Sequence, residues 1–156
     1  MRPYRPLAAA GAVVFGLAFG YVEAVVVVYI RLAVSGMMDP RAAIEAEQVV
    51  AAGFPWWIEL TREVATILML AGVAVALGRG WWERAGFFLL TFALWDAQYY
   101  FALKILTGWP PSLDATDVYF LIPVPWVGPV WLALLLDAFA VGLTRRLWWP
   151  RQAARG

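Results

Sequence analysis

Four long stretches of the chain are almost wholly apolar, and shorter polar stretches separate them. A helix that crosses a membrane needs about 20 such residues at a rise of about 1.5 Å each. The stretches over residues 7–32, 57–78, 85–106 and 127–149 meet that length. The pattern therefore predicts an all-α integral membrane protein, a bundle of four transmembrane helices forming a single domain over residues 1–156. Arg2 and Arg5 ahead of the first stretch give it the outline of a secretion signal. Its apolar run continues through Val25 to Ile30, past the roughly 7–15 residues of a signal core, so this stretch is expected to be retained.

Basic residues orient the spans, because cytoplasmic connections carry an excess of lysine and arginine. Arg2, Arg5, Arg79, Arg84, Arg145, Arg146, Arg151 and Arg155 all fall on one side, accompanied there by the single acid Glu83. The other side holds Asp39, Glu45 and Glu47 in the first connection and Asp114 and Asp117 in the third. This predicts a multi-pass protein of the cell membrane with both termini in the cytoplasm. Tryptophans give the same topology: Trp56, Trp57, Trp109 and Trp126 fall at the outer boundary, and Trp81, Trp82, Trp148 and Trp149 at the inner one.

The two outer connections are more than turns. In the first, Asp39-Pro40 reads as a helix N-cap followed by proline at the first helical position, with Gly53 and Pro55 as the stop. A short interfacial helix is expected between them. The third connection runs from Thr107 to Trp126, and five prolines between Pro110 and Pro129 forbid a continuous helix there. The segment is nonetheless apolar and aromatic. It is expected either to fold back onto the mouth of the bundle as a rigid lid or to serve as a plain interfacial connector.

Composition agrees with lipid as the solvent: 63% of residues are hydrophobic and 15% charged, against about half and about a quarter in soluble domains. The chain has no cysteine and no histidine. That removes disulfides, thiolate catalysis, cysteine zinc sites and the commonest neutral-pH base, and neither haem nor an iron–sulfur cluster is expected. No cofactor is required by the sequence. A bound metal would need oxygen ligands, which points to a divalent cation such as Mg²⁺, Ca²⁺ or Mn²⁺. Walker loops, nucleophile elbows and HExxH are absent, and no basic aromatic surface for nucleic acid is present.

The informative residues are the ionisable ones inside the spans, which are costly there and mark function by default. Glu59, Arg62, Glu63 and Thr66 follow a spacing of i, i+3, i+4, i+7 and share one helix face. Asp96, Tyr99, Tyr100 and Lys104 share another. Gly16 and Gly20 form a GxxxG pair that permits close helix approach, and Glu23 continues their stripe into the bundle. Asp96 and Asp137 both fall near the bilayer midplane. Five acids (Glu23, Glu59, Glu63, Asp96 and Asp137) face two bases within the spans, Arg62 and Lys104, with Arg31 at an edge.

Buried charges must be paired, protonated or bound to an ion. The expected picture is an outward-facing polar cavity that binds a proton, cation or cationic ligand through Glu23, Glu63 and Asp96. Glu59, Arg62, Tyr99, Tyr100, Lys104, Asp114, Asp117 and Asp137 would support it. Glu59, Arg62 and Lys104 also have a plainer reading, as long side chains that reach the outer interface. Two other functions fit the same pattern. One is an enzyme acting on a lipid or isoprenoid at the outer leaflet. The other is a non-catalytic subunit or assembly factor of a larger membrane complex. Membrane lipids are expected partners under each, as is a homo-oligomer or a larger complex.

Overall fold

The computed structural model describes residues 6–36, 55–122 and 124–148. The short helix expected between Asp39 and Gly53 lies outside these residues, as do Arg2, Arg5, Arg151 and Arg155. The described chain is predominantly helical, with four helices: α1 (Pro6–Ser35), α2 (Trp56–Leu77), α3 (Trp81–Thr107) and α4 (Val130–Trp148). Two of them, α1 and α2, are long and apolar enough to cross a membrane.

Helix ends are set by local chemistry. Proline at the first position of α1 costs no hydrogen bond, because that N–H has no partner inside a helix. Gly36 and Gly108 close α1 and α3 in left-handed backbone, at φ +67° and +83°, which a side chain would resist. Their N–H groups return to Leu32 O and Lys104 O. Between α2 and α3 the chain turns in three residues, and the Arg84 side chain donates back to Gly78 O at 3.1 Å.

The third connection holds a feature that helical periodicity did not anticipate. Thr116–Phe120 (β1) and Trp126–Pro129 (β2) pair as an antiparallel hairpin, with a bulge between Val118 and Phe120. Residues 127–129, expected in the fourth span, are therefore strand, and the helix starts at Val130. Proline at 129 has no N–H to give to a helix, whereas an outward-facing strand position tolerates it. The first free N–H groups of α4 are taken by the connection itself: Val130 N donates to Ala115 O and Trp131 N to Leu113 O.

α3 is the hub and touches each of the other three helices. Its seam with α1 is the most extensive and runs along the small-residue stripe Ala8, Ala12, Gly16, Gly20 and Ala24. A Cβ on Gly16 would sit 2.9 Å from Leu94 Cβ, and one on Gly20 would run into the Trp95 carbonyl oxygen. The backbones therefore meet where GxxxG predicts close approach.

Two apolar clusters lie at opposite ends. One joins Ala8 and Ala12 to Ala74 and Phe87, with Trp148 alongside; the other joins Ala24 and Val28 to Leu103, Trp109 and Val130. Starts and ends of successive helices alternate between them, so the helices run up and down in turn. The division between inside and outside is the reverse of that in a water-soluble bundle. Glu23, Arg31, Glu63, Thr66, Asp137 and Thr144 are buried, while Leu68, Met69, Leu135, Leu136 and Phe139 are exposed.

Candidate functional site

The spacing on α2 places Glu59, Arg62, Glu63 and Thr66 on the face turned toward α1 and α3. Together with Glu23 of α1, Trp95, Asp96, Tyr99 and Tyr100 of α3 and Asp117 of β1, they line one cavity of about 70 Å³. The remaining wall is the hairpin, through Val118, Tyr119 and Phe120. Phe120 stacks near Phe92 and Trp95, with ring centroids 6.0 and 6.3 Å away. Five carboxylates and one guanidinium therefore share a space that holds only about five waters, at about 10–15 Å³ each.

Arg62 is the cation of the cavity. It pairs across helices with Glu23 and, one turn back on its own helix, with Glu59. The Arg62 Nε–Glu59 Oε2 distance is 3.0 Å. Glu63 is held differently: both of its oxygens accept from the Leu121 N–H, at 3.1 and 2.9 Å. That bond ties α2 to the far end of β1. Tyr100 donates its hydroxyl to Asp117 Oδ2 at 2.9 Å, a second tie between hairpin and bundle. Burial pushes the Asp117 carboxyl above the usual aspartate range, while the Tyr100 hydroxyl, the Val118 N–H and Arg31 pull it back.

Asp96 faces α4, where its carboxyl lies beside that of Asp137. Asp137 thus has the partner that its isolation in sequence concealed, and its second oxygen, Oδ2, is buried without one.

Two expected supporting residues stand apart from this constellation. Lys104 is exposed on the last turn of α3 and donates to Gly108 O at 3.1 Å and Pro110 O at 2.7 Å. It satisfies carbonyls at a helix end, where a cation is favoured, and does not face the carboxylates. Asp114 is exposed in the connection and does not line the cavity.

Other residues enter that sequence reasoning did not single out. Arg31 is buried, with its guanidinium 5.3 Å from the Trp109 ring centroid, and Trp109 stacks in turn on Tyr100. The spacing Ala24, Val28, Arg31 was the available signal, since it continues the buried stripe of α1. Trp95 adds a buried indole N–H with no hydrogen-bond partner at the cavity wall.

Among the described residues, no three Asp or Glu side chains are grouped so as to hold a metal ion. Glu23 and Glu59 instead share Arg62, Glu63 accepts from the Leu121 N–H and Asp117 from Tyr100. No protein-family model matches the chain, and neither a curated protein nor a solved structure matches it.

Proposed function

We propose that this is a four-span membrane protein whose outward-facing cavity takes up a proton or a small cation. The observation that carries the reading is the content of the cavity: Glu23, Glu59, Glu63, Asp96 and Asp117 with Arg62 as the one base lining it among the described residues. Arg62 neutralises one carboxylate in full, and the rest need protons or a bound cation. The small volume favours a proton, a monovalent cation or ammonium over a lipid headgroup. The dispersed engagement of the acids favours protonation over chelation of a divalent ion.

The four-span arrangement is supported by length and by exposure. At 1.5 Å per residue the shortest helix, α4 with 19 residues, extends about 28 Å, close to the roughly 30 Å of a hydrocarbon core. Every helix turns large apolar side chains outward, which water would penalise and lipid would not. Arginines at the α2–α3 turn and the end of α4 favour the cytoplasm for those ends and for both termini. The hairpin then covers the outer mouth as a lid, latched by Glu63 to Leu121 N–H. A proton taken up by Glu63 weakens that acceptor, so uptake and release of the lid are coupled.

The test is thermal unfolding of purified protein across pH and a panel of Na⁺, K⁺, NH₄⁺ and Mg²⁺, with Glu23→Gln and Glu63→Gln beside wild type. Stabilisation by a monovalent cation or by acid that both variants lose supports the reading. A flat wild-type response, with both variants folded, overturns it and leaves the role of a subunit in a larger complex, to be pursued by copurification.

A further inference from the structure

A second concavity lies nearer the start of α3 than the carboxylate cavity. It is an apolar groove of about 290 Å³ between α3 and α4. Phe88 and Phe92 form one wall and Leu136, Phe139 and Leu143 the other. Leu136 and Phe139 are mostly exposed, so the groove opens on the outer surface of the bundle. Its lining includes one ionisable residue, Asp137. That residue is only 6% exposed, and its Oδ2 has no hydrogen-bond partner. The Asp96 carboxyl is its titratable neighbour.

We propose that this groove binds a lipophilic amine, with the apolar body against the aromatic and leucine walls and the ammonium on Asp137 Oδ2. Charge decides the head. An ionised Asp137 is a buried negative charge, and among the described residues no cationic side chain lines the groove to balance it. A neutral alcohol would satisfy the oxygen but leave that charge buried and unpaired. A protonated amine satisfies both. Walls of Phe and Leu then demand an apolar tail, and the roughly fourfold larger volume than the carboxylate cavity gives it room. The site is distinct from the proposed outward cavity and adjoins it at Phe92, which packs on Phe120, and where Asp96 lies beside Asp137.

The probe is dodecylamine, with dodecanol as the neutral analogue, titrated against full-length protein in detergent micelles and read by calorimetry. Saturable binding of dodecylamine is expected, with dodecanol at least tenfold weaker. Asp137→Asn should weaken the amine tenfold or more, whereas Glu63→Gln, in the other cavity, should leave it within twofold. Ala140→Phe fills the groove with Asp137 intact and should abolish binding, which keeps the test decisive if Asp137→Asn folds poorly. Equal affinity for the alcohol, or undiminished binding by Asp137→Asn or Ala140→Phe, would overturn the proposal. Loss of binding in Glu63→Gln would also overturn it, by assigning the amine to the outward cavity.

Discussion

Arg62 is the residue on which most of the cavity depends. It pairs with Glu23 and Glu59 from a position about a quarter exposed, and removing it leaves two carboxylates facing each other with no cation between them. Breaking a buried pair costs about 3–5 kcal/mol, and partial exposure puts Arg62→Gln at the lower end, about 3 kcal/mol, as measured by thermal unfolding in detergent. Asp117 makes a separate prediction in pH. Its folded carboxyl lies above the ordinary aspartate value of about 3.9, so between those values the folded state holds a proton that the unfolded state has lost. Stability on this account falls as pH rises through the window and levels off above it. Asp117→Asn keeps an acceptor for Tyr100 and removes the titration, so the Tm of the variant relative to wild type should climb from about pH 4 upward. A difference that instead shrank with rising pH would mean the carboxylate is favoured in the fold.

At the scale of elements, the α1–α3 seam is the most sharply specified contact. Gly20→Ala places a methyl on the Trp95 carbonyl oxygen, an overpacking that should cost about 1–3 kcal/mol. Gly72→Ala, in α2, meets nothing within 4 Å and should be neutral or stabilising by up to about 1 kcal/mol, the helix-propensity difference. Parallel thermal melts distinguish the two. This seam was legible in the sequence, because Gly16, Gly20 and Glu23 lie along one stripe whatever the helix packs against. The Glu59–Arg62–Glu63–Thr66 face was legible for the same reason. What periodicity could not supply was rotation: nothing in the sequence aims Asp96 at Asp137, or separates Lys104 from the acids it was expected to serve. The hairpin was hidden by its prolines, although Val118, Tyr119 and Phe120 opposite Trp126 and Val127 are residues that favour strands. Gly128 is required there, since a Cβ would lie 2.6 Å from the Tyr119 hydroxyl.

For the whole molecule, the proposed topology predicts sidedness, and a chain without cysteine is ready for the measurement. Single cysteines at Leu113 and Arg79 should react in intact cells with an impermeant thiol reagent at the first position only. The reverse result would invert the bundle. The way the helices share contacts has a further consequence, for synthesis. α1 and α2 meet each other over a short stretch, and each has its larger interface with α3. On the four-span reading, α3 follows them by about thirty residues, a few seconds at about 5–20 residues per second. Until it arrives, Glu23 and Arg62 lie in hydrocarbon, where either alone would cost about 2.5 kcal/mol or more. Their ion pair offsets that cost and clasps the two earliest spans before any cavity exists. On that reading the residues that charge the cavity would also guide the nascent chain, and selection for biogenesis and for ligand would act on the same two positions.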